Sequence, residues 1–247
     1  MSSRVALVTG AASGLTAGVA RMLAQAGYRI GFTYRPGGTA PDDTRAAVAA
    51  HDPDVVAIAN DLADFDAAER LVDELETARG PIDVVVHGVG PIVVRPFAKC
   101  TPADYRAMVD GNLTSAVALA AAVLPGMRTR RFGRLIFFGM NGSHVTQPAR
   151  NMALYGAAKA GVVAFARALA LEEARYGITT NVIEPGDIRD KRALREAART
   201  VAATNPTGHA GSWEDVAAAV RLVVDDAAGY LNGMVLAVNG GLVEPHE

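Results

Sequence analysis

Val5-Ala-Leu-Val-Thr9-Gly10-Ala-Ala-Ser13-Gly14-Leu15 runs from a β-branched apolar stretch through a glycine turn into helical spacing, which continues to Ala26 and stops at Gly27. The order is strand, glycine turn, helix. A helix entered this way offers unpaired backbone N–H groups and the positive end of its dipole, a setting that suits a phosphate. Gly10, Ser13, Gly14 and Leu15 are therefore candidate phosphate-binding residues. An ordinary strand-to-helix turn uses glycines in the same way, so the turn does not decide alone.

Working outward, the same reading recurs. Apolar runs at 28–34, 55–59, 82–86, 133–138, 178–183 and 234–238 read as strands. Helical patterns fill 64–79 and 152–175, and Thr101-Pro-Ala-Asp104 reads as the capped start of a long helix carrying Asn112. Such alternation predicts an α/β chain: one parallel, seven-stranded, doubly wound sheet with helices on both faces, in a single domain over 1–247. In open sheets of this kind ligands bind at the carboxyl ends of the strands. Gly10 to Gly14, Arg35, Asp61, His87 to Gly90, Met140 to Ser143 and Pro185-Gly186 all follow strands.

Within the helix at 152–175, Tyr155 and Lys159 lie four residues apart and so share a face. A lysine ammonium beside a phenol favours the phenolate, so the expectation is a tyrosine pKa lowered from its usual value of about 10 and available for proton transfer. Composition narrows the rest. Half of the 247 residues are hydrophobic, 20% are charged and the net charge is −2, which argues against disorder and against a nucleic-acid partner. The single Cys100 allows no internal disulfide and no zinc site of its own, and no metal site is expected. The N-terminus enters a strand without a signal-like segment, and no apolar stretch of about 18 residues is read. The expectation is a cytoplasmic protein without a membrane partner.

Thr9-Gly10-x-x-x-Gly14, Asp61-Leu62, the glycine loop after the fourth strand, Asn112-Leu-Thr-Ser, Tyr155-x-x-x-Lys159, Pro185-Gly186 and Val238-Asn-Gly-Gly resemble, in this order, the short-chain dehydrogenase/reductase family. The match spans the whole chain and is most similar to 3-oxoacyl-acyl-carrier-protein reductases. The resemblance implies a Rossmann-type fold and hydride transfer between a nicotinamide and a carbonyl or alcohol carbon, with Tyr155, Lys159 and Asn112 as catalytic residues. Tyr155 would protonate the nascent alkoxide, Lys159 would hold the ribose hydroxyls, and Asn112 would anchor a water. It further implies cofactor contacts from Gly10, Ser13, Gly14, Leu15, Asp61, Leu62, Gly88, Pro185, Gly186 and Ile188 as well as Tyr155 and Lys159. Asp61 also suits a cap for the helix that follows it. No acid ends the second strand, where Thr33-Tyr34-Arg35-Pro36 offers an arginine, so NADPH is favoured over NADH with Arg35 on the extra phosphate. A homotetramer or dimer is also implied. Its alanine-rich helices suit pairing between subunits and packing on their own sheet equally.

The chain departs from the family in several places. Thr16 stands where a third glycine is usual; Gly18, one turn beyond Gly14, either supplies the missing clearance or is simply tolerated in its helix. His87 opens the fourth-strand loop and reads as a structural hydrogen-bonder. The usual substrate-binding serine falls on Met140 or on Gly142, depending on the end from which it is counted, and neither side chain donates. Asn141, Ser143 and His144 are the replacement candidates, with Ser143 favoured as the fourth catalytic residue. After Pro185-Gly186, Asp190 takes the place of a threonine, and a substrate lid is expected over about 187–212, with a helix at 192–203. Two functions fit. The first is an NADPH-dependent oxidoreductase for a small or carrier-bound carbonyl substrate, such as a 3-oxoacyl thioester or small ketone. The alternative is a catalytically weakened family member that binds a nicotinamide cofactor as a sensor or partner subunit.

Overall fold

The computed structural model describes residues 4–62 and 64–242. Among these, β1 (Val5–Thr9), β2 (Arg29–Tyr34), β3 (Val56–Ala59), β4 (Ile82–His87), β5 (Gly133–Phe138), β6 (Ile178–Pro185) and β7 (Val235–Val238) form one sheet in the order β3-β2-β1-β4-β5-β6-β7. Every neighbouring pair is parallel. The order reverses between β1 and β4, which opens a crevice at their carboxyl ends.

Alternation along each strand makes two cores. Val5 and Leu7 point to one face, among Leu71 and Leu75 of α3 (Phe65–Arg79), Leu119 and Val123 of α5 (Ser115–Arg130), and Val162 and Leu169 of α6 (Ala153–Glu173). Ala6 and Val8 point to the other, among Val19 and Leu23 of α1 (Gly14–Gln25), Val48 of α2 (Asp42–Ala49), and Val216 and Val220 of α8 (Trp213–Val224). Each such side chain contributes roughly 1.5–3 kcal/mol by leaving water, so burying both faces holds the sheet between its helices.

By length and composition, the helical stretches Pro102–Arg130 and Ala153–Tyr176 are apolar enough to cross a membrane, with mean hydropathies of 1.5 and 1.4. This corrects the expectation that no such stretch occurs. Much of their apolar content faces the sheet through α5 and α6.

Thr101 caps α4 (Pro102–Met108) by a reciprocal capping box with Asp104, as its sequence predicts. A wider π-turn at Val109–Thr114 joins α4 to α5. Asn112 sits in that turn, and its Nδ2 donates to Met108 O, the carbonyl its own backbone N–H would take in an α-helix.

The sequence reading did not foresee α2 or α8, although Ser212 and Asp215 form a second reciprocal capping box in front of α8. The lid helix is shorter than expected. Only α7 (Arg195–Arg199) forms, because Asn205-Pro-Thr-Gly208 turns the chain back so that Ala202 bridges His209 antiparallel.

Candidate active site

A cleft of about 620 Å³ lies at the carboxyl edge of β1, β4, β5 and β6. Its first wall is mostly backbone. Gly10 and Gly14 hold φ of 66° and 73°, left-handed values that cost most side chains free energy. Ser13 precedes α1 without a side-chain cap bond, so the first-turn N–H groups are left for another acceptor. Gly88 has no room for a Cβ, which would lie 2.0 Å from Thr16 Cγ2. Thr16 therefore fills the space above Gly88, and its hydroxyl donates to Gly10 O at 2.8 Å, pinning the turn. Gly18 does not supply the clearance that Thr16 removes. A Cβ there would meet the Trp213 ring at 2.2 Å, so Gly18 admits α8 onto α1.

Beneath this wall His87 closes a chain of hydrogen bonds. Thr9 Oγ1 accepts from Gly88 N, Ser115 Oγ donates to Gly111 O, and the imidazole bridges Thr9 and Ser115 at 3.0 Å each. Thr9 thus donates to Nδ1, and Nε2–H donates to Ser115. Burial pushes the His87 pKa down to about 3, so the ring stays neutral and structural, as expected.

The second wall carries Tyr155 and Lys159 from α6. Lys159 Nζ lies 5.7 Å from the Tyr155 ring centroid and donates to Phe138 O at 2.8 Å. The ammonium thus sits toward the ring face and is held to the end of β5. Burial pushes Tyr155 up to about 12 and Lys159 down to about 8. This corrects the expectation of a lysine-depressed tyrosine: desolvation dominates both groups, so Tyr155 is a neutral proton donor. Asn112 joins them from the π-turn. A Cβ on Gly90 would lie 2.4 Å from Asn112 Oδ1 and 3.2 Å from Lys159 Nζ, so both side chains converge on that glycine. Asn112 Oδ1 is buried without a hydrogen-bond partner, although Nδ2 is doubly engaged with Pro91 O and Met108 O.

The loop after β5 is organised by Glu184, a fully buried carboxylate near the end of β6. Glu184 accepts from Ser143 Oγ at 2.6 Å, His144 N at 2.9 Å and Gly142 N at 3.1 Å, and bonds His144 Nδ1 at 2.8 Å. Four partners offset the cost of removing this carboxylate from water. Ser143 therefore does not take the place expected of it: its hydroxyl belongs to Glu184, and it does not line the cleft. His144 is committed to the same carboxylate, and Asn141 Oδ1 accepts from Asn239 Nδ2. Met140 lines the cleft, whereas a side chain on Gly142 would meet Gln147 Oε1 at 2.2 Å with φ at 75°. Of the residues on which the serine slot was counted, Met140 lines the cleft, and none of the three candidate donors does.

A family model described as enoyl-(acyl carrier protein) reductase matches residues 10–243. The chain belongs to the short-chain dehydrogenase/reductase family. It is similar to the acetoacetyl-CoA reductase of Shinella zoogloeoides, 34% identical over 244 residues, or 97% of this chain and 98% of that protein. It is 31% identical over 247 residues to the 3-oxoacyl-[acyl-carrier-protein] reductase MabA of Mycobacterium avium, covering 99% of this chain and 91% of that one. A solved Bacillus thuringiensis structure described as a 3-oxoacyl-reductase superposes with a TM-score of 0.90 at 29% identity, over 99% of this chain and 100% of that one. The protein is accordingly an oxidoreductase of C=O and CH–OH groups in a family that uses nicotinamide cofactors.

Most of the residues expected in this dehydrogenase/reductase cleft line it: Gly10, Ser13, Gly14, Leu15, Gly88, Tyr155, Lys159, Pro185, Gly186 and Ile188. Three do not. Arg35 is exposed beyond β2 with no side-chain partner among the described residues. Asp61 is exposed, and the cap of α3 is Asp64, which accepts from Ala67 N at 2.7 Å. Leu62, with φ at 48°, turns fully into the core beside α3 instead of toward the cleft. The sequence reading missed Glu184 and Lys191. Glu184 was visible as a lone carboxylate inside an apolar strand, a position that demands partners.

Asp187 starts the segment expected as a lid with φ at 54°. Its ion pair with Arg189 holds its carboxyl below the usual range, and it also accepts from Asn205 Nδ2 at 2.8 Å. Arg195 ties the lid to α8 through Asp215 at 2.6 Å.

Proposed function

We propose that this short-chain dehydrogenase/reductase uses NADPH to reduce 3-oxoacyl thioesters, the chemistry in the names of its acetoacetyl-CoA and 3-oxoacyl reductase relatives. The observation that carries the reading is the convergence of Tyr155, Lys159 and Asn112 on a glycine-walled cleft at the carboxyl edge. The uncapped turn at Gly10, Ser13 and Gly14, the bare backbone at Gly88 and the orphaned Asn112 Oδ1 fit a dinucleotide. Leu15, Pro185, Gly186 and Ile188 complete that cradle, with Asp61 and Arg35 toward the adenosine end. These residues would hold a nicotinamide cofactor, which when bound would supply hydride for the carbonyl carbon. Tyr155 gives its proton to the oxygen as charge develops there, and the high pKa keeps it loaded at neutral pH. Lys159 binds ribose hydroxyls, and Asn112 Oδ1 accepts from a water that returns protons toward Lys159. The segment 187–212 covers the acyl group, with Ile92, 51% exposed, at the rim. The exposed Tyr105 and Leu171 on the long helices suit a homotetramer.

With Met140 in the slot, the loop after β5 brings no side-chain donor to the cleft, and Tyr155 is the donor assigned to the substrate oxygen. Losing an oxyanion-type donor costs about a hundredfold to a thousandfold in rate. Met140 therefore favours a second reading, a nicotinamide-binding sensor with little turnover. NADPH oxidation against 3-oxoacyl-CoA and carrier-protein thioesters, diketones and cyclic ketones separates the two. The reductase reading expects turnover that Tyr155→Phe abolishes. Tight NADPH binding with no oxidation across the panel overturns it. In the same assay Arg35→Asp shifts preference toward NADH, and an unchanged NADPH/NADH ratio removes Arg35 from the site.

A further inference from the structure

The turn after β7, Asn239-Gly240-Gly241, touches both the loop after β5 and the segment 187–212. We infer that Asn239 is a positioning residue, which couples the loop carrying Met140 to the neck of that segment. The inference deepens the thioester reduction proposed above and rests on it for the substrate that the two segments enclose.

Asn239 engages three groups. Its Nδ2 donates to Asn141 Oδ1 and to Leu242 O at 3.0 Å, and its Oδ1 accepts from Gly241 N at 3.0 Å. Both amide hydrogens are thus committed. The Asn141–Asn239 pair lies against Gly186, a cleft residue on which a Cβ would stand 2.7 Å from Asn239 Cβ and 3.2 Å from Asn141 Oδ1. The same turn also receives the hairpin Asn205-Pro-Thr-Gly208. Gly240 O accepts from Thr207 N at 3.2 Å, and a side chain on Gly240 would meet Thr207 Oγ1 at 2.7 Å. Asn205, only 4% exposed, accepts from Thr207 Oγ1 at 2.7 Å and donates to Asp187 Oδ2 at 2.8 Å and His209 O at 2.9 Å. Asp187 O accepts in turn from Gly211 N at 3.2 Å.

These contacts close a ring. From Asn141 it runs through Asn239, Gly240, Thr207 and Asn205 to Asp187, whose neighbour Gly186 packs back on Asn141. The ring draws the two ends of 187–211 into a neck and fastens that neck to the loop after β5. Met140, next to Asn141, lines the cleft, and so do Gly186, Asp187 and Ile188 on the other side of the ring. Short, directional bonds between small amides leave little slack, so a shift on one side is passed to the other. Away from the neck the segment is held to α8 by Arg195, which leaves Asn239 as its link to the substrate loop.

The test follows amide hydrogen exchange by mass spectrometry in the full chain and in Asn141→Ala, Asn141→Asp and Asn239→Ala. Asn141→Ala should speed exchange about tenfold across the ring, over 203–211, as well as within 139–147, and leave 10–18 unchanged. Asn141→Asp keeps an acceptor for Asn239 Nδ2 and should restore the parent's rates in both segments. In kinetics with acetoacetyl-CoA, Asn141→Ala and Asn239→Ala should each raise KM for the thioester about tenfold, with kcat changed by no more than about twofold and KM for NADPH unmoved. The double variant should add nothing to Asn239→Ala, because both substitutions break the same bond. If Asn239→Ala does not fold, the two Asn141 variants decide by exchange alone. Faster exchange confined to 139–147, no rescue by Asn141→Asp, or kinetic losses that add in the double variant overturn the inference. Absence of thioester turnover in the parent is a different result: it counts against the reductase reading, and the exchange comparison still decides the coupling.

Discussion

The two walls of the cleft are held by different means. The glycine wall is shaped by backbone within five residues, Gly10 to Gly14, where left-handed φ values and an uncapped helix start are local properties. The facing loop, 139–147, owes its shape to Glu184, about 40 residues away along the chain, which fastens Gly142, Ser143 and His144 together. The first wall resembles the family closely and the second does not. A wall built from local backbone geometry keeps its form through sequence change, whereas a wall hung from one distant carboxylate can be rebuilt when that carboxylate appears.

The largest effect expected on this contrast is at Tyr155, carried on the second wall by α6. Tyr155→Phe should lower turnover by about a thousandfold with a far smaller loss of NADPH affinity in fluorescence titration, since the lost hydroxyl serves chiefly the substrate oxygen and the glycine wall is untouched. Next is Glu184→Ala. It strands buried donors in the loop and should lower stability to urea by about 3 kcal/mol. It should also raise KM for the thioester with little change for NADPH. An equal loss on both sides would show that the walls are not independent in the way described.

Met140→Ser should raise kcat by about tenfold by returning a donor to the slot, part of the hundredfold or more that such a group supplies. No gain would mean that the loop backbone holds the slot too far from the substrate oxygen.

The smallest effect is in the pH profile. Lys159 is charged below its value of about 8, so turnover that needs the ammonium should fall by half near that pH and continue downward. Stability should move the other way. The folded-state pKa lies below the ordinary value of 10.5, so between about pH 8 and 10.5 the unfolded chain binds more protons and stability rises with pH. Turnover and stability rising together through this window would remove Lys159 from the reacting centre.

The fold was legible because its signals are short-range. Strand residues alternate between Val5 and Leu7 on one core and Ala6 and Val8 on the other, and turns at Gly10, Gly27 and Gly80 punctuate the elements. The start of α4 was legible for the same reason, since Thr101 and Asp104 cap it reciprocally. What was not legible depended on partners far along the chain. Ser143 reads as a free hydroxyl until Glu184 is placed against it, and Gly18 stays open between clearance and a tolerated helix glycine until Trp213 is placed on it. Leu62, expected as a cofactor contact, faces the core instead because its turn, with Asn60 Oδ1 accepting from Leu62 N, reverses the side chain. The tyrosine pKa failed differently. Helical spacing correctly placed Lys159 on the face of Tyr155, but spacing does not measure desolvation, and burial outweighed the neighbouring charge.

Glu184 also precedes Pro185 and Gly186, which line the cleft beside the loop it anchors. Transplanting loop 139–147 into another member of the family would therefore carry half a part. Without the carboxylate on β6 the graft would arrive with its donors unanswered, and with it the graft would bring the neighbouring cleft residues along. On the reductase reading proposed above, substrate preference would be inherited as a pair of segments, and recombination that separates them should yield chains that fold their sheet but not this loop.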